Sequence, residues 1–330
     1  MNMQLLYDIL GAYGASGSEG PVRGVIENAL RGHVDEMKTD GMGNLIAVKR
    51  GDGTGKRIMI SAHMDHIGLA VVDADEHGYL RVTEVGGIDA WNMLSAHVVF
   101  QNGVEGVIWA EPTQGKPKEV SHLYVDIGAE SRDEALSRVQ IGDVCVMKPR
   151  VAKLGEHRLA SPAMDDRIAC FILTEAMLAL PQNAKNEVVA VFSVQEEVGV
   201  RGATTAAFAI NPDIGIAVDV TMTGDTPEIK PVLPMKLGGG AAVKIMDYSL
   251  ICTPWVVQMM LDRAQERDIP VQREVLPYGG TDAGAIAQTR GGVPSGAISI
   301  PCRYVHSAAE TVDLRDVQAS LDLLLACVEQ

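Results

Sequence analysis

The 330 residues exceed what one hydrophobic core usually organises, so the length predicts a large α/β domain that carries a second, smaller domain. The formal net charge of -15, from 43 acidic and 28 basic residues, would repel a phosphate backbone and argues against a nucleic-acid partner. The start of the sequence has neither a basic segment nor a long apolar run, so we expect no signal peptide and no membrane span there. Five cysteines without a C-x-x-C spacing predict free thiols and a cytoplasmic location.

Two helices are predicted at the start of the chain. The first follows from four apolar residues that fall on one face: Leu5, Leu6, Ile9 and Leu10. The pattern Ser16-x-x-Glu19, followed by Pro21, is typical of a capping box with proline in the first turn, and it predicts that a second helix begins there. Two strands are expected next, at residues 44–50 and 57–62, on either side of a glycine-rich turn.

Short runs rich in β-branched residues follow between residues 69 and 153, separated by Gly, Asp and Asn turns. They lie at residues 70–72, 80–85, 98–100, 106–109 and 144–147. This pattern is typical of a small barrel or sandwich inserted into a larger domain. The sequence therefore predicts one domain formed by residues 1–66 and 156–330, and an inserted β-barrel-like domain at residues 67–155.

Helices and strands alternate again in the second half of the chain. Helices are predicted at residues 169–180, 202–208, 253–266, 283–288 and 314–327, and strands at residues 188–194, 214–220 and 297–300. The strands are almost continuously apolar, which indicates a sheet that is buried on both faces. In such a sheet the binding and catalytic residues lie at the ends of the strands.

Several polar side chains lie at or near these strand ends or at the start of a helix. Each is ordinary by itself, because a histidine at a strand end or a carboxylate at a helix start more often has a structural role. Together they supply two imidazoles and at least three carboxylates, the nitrogen and oxygen ligands that suit Zn²⁺, Co²⁺ or Mn²⁺. The candidates are His63, Asp65, Asp165, Asp166, Glu196, Glu197, Asp219 and His306.

Seven segments, in order along most of the chain, resemble the tetrahedral and glutamyl aminopeptidase family of dinuclear metallopeptidases, metallopeptidase family 42. They are AHMDHIG (62–68), LYVDIGA (123–129), AMDDRIA (163–169), QEEVGVRGA (195–203), AVDVT (217–221), GGTDAGAI (279–286) and YVHSAAETVDLRDV (304–317). The combination of QEEVG with AHMD and DDR is highly specific. The resemblance implies an α/β fold, in which a mixed-sheet, phosphorylase/hydrolase-like metallopeptidase domain is interrupted by a small all-β dimerisation domain.

The resemblance also implies a role for each matching residue. Two divalent metal ions are implied, with five ligands: His63 and Asp219 on one ion, Glu197 and His306 on the other, and Asp165 bridging both. Whether Asp165 or Asp166 is the bridging residue stays open at this point. Glu196 would be the general base, and Asp65 would orient the His63 side of the site.

The mechanism implied by these roles is peptide hydrolysis at the amino terminus of short peptides. Two metal ions lower the pKa of a shared water and hold both reacting oxygens. Glu196 would take the proton and pass it to the leaving amine. The chain departs from the family pattern at His66, where an acidic residue is common, and at Ser161-Pro162, where Gly-Lys is frequent. These differences concern the rim of the site and the choice of substrate.

Two other functions stay open at the level of sequence. One is a metal-binding oligomeric scaffold without peptidase activity, which would have no use for an acid such as Glu196 beside the metal ligands. The other is a carbohydrate hydrolase that acts with paired carboxylates, although three tryptophans and seven tyrosines offer few surfaces for sugars. The resemblance favours the peptidase and implies a homo-oligomer in which dimers assemble into a hollow dodecamer.

Overall fold

The chain begins with two helices and three strands. A computed structural model describes residues 1–112, 115, 117, 119–181, 184–227 and 233–329. The first elements are α1 (Met3–Gly11), α2 (Gly20–Leu30), β1 (Glu36–Thr39), β2 (Leu45–Lys49) and β3 (Arg57–His63). The predicted apolar face of α1 is buried. The two strands expected at residues 44–50 and 57–62 are confirmed as β2 and β3.

The capping box predicted at Ser16 and Glu19 is wrong. Helix α2 does have Pro21 in its first turn, but its N-cap residue Glu19 makes no capping hydrogen bond through its side chain. The Ser16 hydroxyl donates instead to Asp65 Oδ2 at 2.6 Å, and Glu19 Oε1 accepts the backbone N–H of Gln195 at 3.2 Å. Both side chains serve contacts with residues far along the chain, which the spacing of the motif alone does not reveal.

A small all-β unit follows, as predicted. Its elements are β4 (Gly68–Ala74), β5 (Leu80–Val85), α3 (Ala90–Met93), β6 (His97–Phe100), β7 (Glu105–Ala110), a 3₁₀ turn (Val120–His122), β8 (Leu123–Asp126), α4 (Arg132–Arg138) and β9 (Val144–Met147). Among the described residues, six antiparallel strands close into a barrel in the order β4-β5-β8-β7-β6-β9. The five predicted runs fall in β4, β5, β6, β7 and β9, whereas the four-residue strand β8 was not identified as a separate run.

The second half of the chain returns to alternating helices and strands. Its elements are β10 (Ala152–Leu154), β11 (Arg158–Ser161), α5 (Met164–Ala179), β12 (Glu187–Ser193), α6 (Arg201–Ile210), β13 (Ile214–Met222), β14 (Ala241–Met246), α7 (Pro254–Glu266), β15 (Val271–Val275), α8 (Asp282–Ala287), β16 (Ser295–Arg303), β17 (Glu310–Asp313) and α9 (Leu314–Val328). Every helix and strand predicted in this half is confirmed within a few residues. Within the described ranges, no helix is long and apolar enough to cross a membrane.

A large mixed sheet positions the strand ends. In the described part of the chain, eleven strands pair in the order β1-β2-β12-β3-β13-β16-β17-β11-β10, and β14 joins β16 to β15. The four neighbouring strands β12, β3, β13 and β16 are parallel. Ser193 lies beside His63 across one pair, and Ala217 lies beside Ser61 across the next. Asp219, two residues further on, therefore reaches the level of His63.

The barrel and the large sheet each have their own apolar core. Barrel residues such as Leu69, Phe100 and Ile108 form a cluster that is separate from the main cluster around the large sheet. The division into residues 1–66 with 156–330 and residues 67–155 stays a prediction. Because β10 pairs with β11 in the large sheet, we propose that the second boundary lies before β10.

Buried Arg167 fixes the N-terminal segment against α5. Its guanidinium donates to the backbone carbonyls of Ile9, Ala12 and Gly14 at 3.0, 3.1 and 3.2 Å. A Cβ at position 14 would lie 2.3 Å from Arg167 Nη2, so this close approach requires glycine. The contact places the segment that carries Ser16 beside the end of β3.

Candidate metal centre

The predicted site residues lie together at one end of the strands of the large sheet. The carboxyl ends of the four parallel strands meet there, and the start of α5 faces them. The residues come from five segments: His63 ends β3, Glu196 and Glu197 follow β12, Asp219 lies in β13, His306 follows β16, and Asp165 opens α5.

The potential ligand atoms form two groups that share one residue. His63, Asp165 and Asp219 form the first group, and Asp165, Glu197 and His306 form the second, with the atoms of each group within 4.8 Å of one another. Asp165 Oδ1 lies 3.1 Å from His63 Nε2, and Asp165 Oδ2 lies 3.4 Å from His306 Nε2. The two oxygens of a single carboxylate therefore face the two groups.

Asp165 and Asp166 direct their carboxyl groups to different partners. A cis peptide bond joins them, and both have backbone angles outside the helical range. Asp166 Oδ2 accepts the backbone N–H of His63 at 3.2 Å, and Asp166 belongs to neither ligand group. Of the two residues that the sequence left open, the geometry favours Asp165 as the shared carboxylate.

Both histidines have the orientation of metal ligands. His63 Nδ1 lies 3.0 Å from the carbonyl oxygen of Asp65, and His306 Nδ1 lies 2.6 Å from the carbonyl oxygen of Gly87. A carbonyl can only accept, so each Nδ1 carries the hydrogen. In a neutral imidazole the lone pair is then on Nε2, which is the atom that points into the ligand group. This arrangement of a second ring nitrogen is typical of histidines that bind metal ions.

The electrostatics of the site fit divalent cations. Burial raises the pKa values of Glu196 and Asp219 well above the usual carboxyl range, and neighbouring carboxylates add to the effect while His63 opposes it. Burial disfavours a charged His306, but hydrogen bonds with Asp165 and Glu197 outweigh it and raise that pKa to about 12. Divalent cations would supply this compensating positive charge without these protons. Glu197 Oε1 is also buried with no hydrogen-bond partner among the described residues.

Two carboxylates outside the ligand groups hold the turn that presents Glu196 and Glu197. Asp65 Oδ1 accepts the backbone N–H of Glu196 at 2.9 Å, and Asp65 Oδ2 accepts that of Glu197 at 3.3 Å. Glu19 accepts the N–H of the preceding residue, Gln195, whose φ of 55° is in the left-handed region. Three consecutive N–H groups are thus bound. Asp65, placed by the sequence at the His63 side, also contacts the turn that carries Glu196 and Glu197.

Two further carboxylates lie beside the centre, and neither was among the site residues predicted from the sequence. Asp282 Oδ2 accepts the hydroxyls of Ser61 and Ser193 at 2.6 Å each, which joins β3 and β12 to the start of α8. Glu310 accepts the backbone N–H groups of Asp165 and His306. In the sequence, Glu310 is a single glutamate in a short strand. Before the fold is known, such a residue cannot be distinguished from one with a structural role.

A cavity of about 410 Å³ opens beside the two ligand groups. Its lining includes the ligand residues and Glu196, whose carboxylate is not part of either group. Most of the other side chains that line it are apolar, and we refer to these together as the apolar wall. A short peptide end could therefore reach both the ligand groups and Glu196 from one side.

Comparison with known proteins assigns the chain to a family. The family model for M42 glutamyl aminopeptidases matches residues 43–323, and the chain belongs to this family. A protein of Acetivibrio thermocellus that is named as an aminopeptidase is 46% identical over 326 residues, which cover 98% of this chain and 97% of the relative.

Solved structures agree with this assignment. Aminopeptidase APDkam598 from the archaeon Desulfurococcus kamchatkensis superposes with a TM-score of 0.95 at 37% identity, over 99% of this chain and 94% of that chain. The Pyrococcus horikoshii TET1 peptidase, which can assemble into a tetrahedron or a large octahedral shell, gives a TM-score of 0.88 at 32% identity, over 99% of each chain. The predicted family, fold class and aminopeptidase activity are confirmed, which makes the chain a hydrolase of peptide bonds.

We expect Asp65→Asn to destabilise the site. The side-chain amide of asparagine has one accepting oxygen, whereas the carboxylate has two. The backbone N–H of Glu196 or that of Glu197 therefore loses its partner. The free energy of unfolding of the metal-free protein should fall by about 1–3 kcal/mol in urea denaturation.

The matched control for this substitution is Asp75→Asn in the turn between β4 and β5. Asp75 Oδ1 also accepts two backbone N–H groups, from His77 and Tyr79 at 3.0 Å each, but it is partly exposed. Water can replace its bonds, so the change should be about 0.5 kcal/mol or less. If both variants lost the same free energy of unfolding, the buried hydrogen bonds of Asp65 would contribute no more to stability than the exposed ones of Asp75.

Proposed function

We propose that this aminopeptidase holds two divalent metal ions and uses Glu196 as the general base. The observation that carries the proposal is the position of Asp165, whose two carboxylate oxygens face two separate ligand groups. His63 and Asp219 would complete the set for one ion, and Glu197 and His306 the set for the other. Nitrogen and oxygen ligands without thiolates suit Zn²⁺, Co²⁺ or Mn²⁺.

The chain's own residues would position the substrate and move the proton. When bound, the metal ions supply Lewis acidity towards the scissile carbonyl and acidify water. Glu196 lines the cavity and belongs to neither ligand group, so its carboxylate is available to take a proton from the attacking water. The same oxygen would then give this proton to the nitrogen of the leaving amine. Asp65 keeps Glu196 in place through the backbone N–H.

Glu196→Gln tests the role of the base. The amide cannot take a proton, so kcat for an aminoacyl p-nitroanilide should fall by about 10²- to 10⁴-fold. Metal content, measured by mass spectrometry after dialysis, should stay at the wild-type level because Glu196 is not in a ligand group.

The neighbouring substitution Glu197→Gln is the matched control. It removes a carboxylate from the second ligand group and should lower metal content as well as turnover. Near-normal hydrolysis by Glu196→Gln would refute the assignment of the base. Unchanged metal content in Glu197→Gln would refute the ligand set.

The apolar wall of the cavity favours an uncharged first residue in the substrate. Its side chains include Val220, Met222, Leu276, Tyr278 and Val305. A charged side chain placed against this wall would lose hydration without gaining a partner. A leucine or methionine side chain would instead bury apolar surface there.

Lys244 also lines the cavity, but its charge is already compensated. Its Nζ donates to Glu274 Oε1 at 2.6 Å and lies 3.2 Å from Asp247 Oδ2, and all three side chains are buried. A substrate carboxylate would have to compete with these two acids. The buried lysine therefore does not favour glutamate as the first residue.

A panel of aminoacyl p-nitroanilides tests the first-residue preference. We expect kcat/KM for the leucyl and methionyl substrates to exceed that for the glutamyl and lysyl substrates by about 10-fold or more. A preference for glutamyl or lysyl substrate would overturn the proposed preference and leave the proposed base unaffected.

We also propose a cytoplasmic homo-oligomer, in which dimers formed through the barrel assemble into a dodecamer. The five cysteines are unpaired and buried, which suits a reducing compartment. The outer face of β7 exposes Val107 and Trp109, and Trp109 is 53% exposed. Exposed apolar groups of this kind are frequent at protein interfaces. The tetrahedral assembly of the related TET1 peptidase supports the proposal.

Light scattering tests the assembly. The wild-type chain should have a particle mass of about twelve chains, and Trp109→Glu should shift the mass to smaller species because it places a charge in the proposed dimer contact. Trp255→Glu is the control, since Trp255 is 47% exposed but lies on α7 in the large domain. A monomeric wild type, or an unchanged mass for Trp109→Glu, would contradict the proposal.

A further inference from the structure

Glu310 connects two segments that carry potential metal ligands. It is the first residue of β17 and pairs with Ser161 at the end of β11, four residues before Asp165. His306 lies four residues before Glu310 in the sequence, in the loop between β16 and β17. The Glu310 side chain is 1% exposed and lies outside both ligand groups.

Each oxygen of the Glu310 carboxylate has one backbone N–H donor. Oε2 accepts the N–H of Asp165 at 2.9 Å, and Oε1 accepts the N–H of His306 at 2.8 Å. Both hydrogen bonds are short and their acceptor is almost fully buried, so loss of one accepting oxygen would leave a donor without its partner. One rigid group thus spans the backbones of the residue shared by the two ligand groups and of the histidine in the second group.

The backbone of His306 needs such support. Its φ is 60°, in the left-handed region that a residue with a Cβ rarely adopts. Strained backbone persists only where surrounding contacts fix it, and it is common at functional sites. The Glu310 hydrogen bond and the Nδ1 contact with Gly87 hold the backbone and the ring of His306 respectively.

We propose that Glu310 is a positioning residue for the metal centre, which sets the place of Asp165 relative to His306. This inference rests on the proposed function, because it assumes that both residues bind metal ions. A carboxylate is the side chain that can accept from both donors at once. Glutamine offers one accepting oxygen and turns an NH₂ group towards the second N–H. Aspartate is shorter by one methylene, so it would not span both donors from the same backbone position.

The test measures metal affinity directly. Co²⁺ dissociation constants are obtained by competition with a chelator, and the visible absorption of bound Co²⁺ reports the ligand geometry. Glu310→Gln should raise the dissociation constant by about 10- to 100-fold, as expected when a partner of metal ligands is removed. Its Co²⁺ spectrum should also change. If Glu310→Gln does not fold, Glu310→Asp is measured instead, and the same rise in the dissociation constant and the same change in the spectrum are expected.

Asp316→Asn is the matched control. Asp316 is a buried carboxylate on α9 that also accepts two backbone N–H groups, from Gly238 and Gly240 at 2.7 Å each, and neither glycine lines the site. This substitution should lower stability but leave Co²⁺ affinity and spectrum unchanged. Wild-type affinity in Glu310→Gln, or an equal loss in Asp316→Asn, would overturn the positioning role.

His306→Ala separates failure of this inference from failure of the proposed function. If His306→Ala binds Co²⁺ as the wild type does, the ligand set itself is wrong, and the positioning role fails with it. If His306→Ala weakens binding and Glu310→Gln does not, the ligand set stands and only the role of Glu310 is refuted.

Discussion

The accumulation of buried carboxylates at the edge of an apolar sheet is the constraint on which the rest of this structure depends. Burying one carboxylate is costly, and placing several together adds their mutual repulsion. Most of these carboxylates are of two kinds. Some face the two ligand groups, where cations would balance their charge. Others, such as Asp65, Asp166 and Glu310, accept the backbone N–H groups of potential ligand residues.

The carboxylates that accept backbone N–H groups hold together the several segments that carry the potential ligands. Apart from Asp219, each potential ligand lies at a strand end, in a loop or at the start of a helix, where backbone N–H groups lack the regular partners of a sheet. A buried carboxylate satisfies these donors and is itself stabilised by them. The same hydrogen bonds therefore offset the cost of the charge and fix the position of the ligands. Asp219 differs because it lies inside β13, where the sheet already holds its backbone.

The barrel segment also contributes to the site, although the barrel has its own apolar core. The loop after β5 supplies the carbonyl of Gly87 that orients His306. In the same loop, a Cβ at Gly86 would lie 2.7 Å from Ile67, so the backbone passes close to the segment that leaves β3. The inserted barrel therefore contributes directly to the geometry of the site.

The sequence by itself determined the apolar strands, the helices that alternate with them, and the polar residues at the strand ends, because these depend on local periodicity and on residue type. Only the tertiary structure placed Asp165 and not Asp166 in both groups of potential ligands, paired Ser16 with Asp65 instead of a helix cap, and brought two donors to Glu310. These outcomes depend on the register of parallel strands and on partners that are distant in the sequence, 49 residues apart for Ser16 and Asp65 and 145 for Glu310 and Asp165. Hydrogen-bond partners at such separations are set by how the elements pack, and no local pattern in the sequence records them.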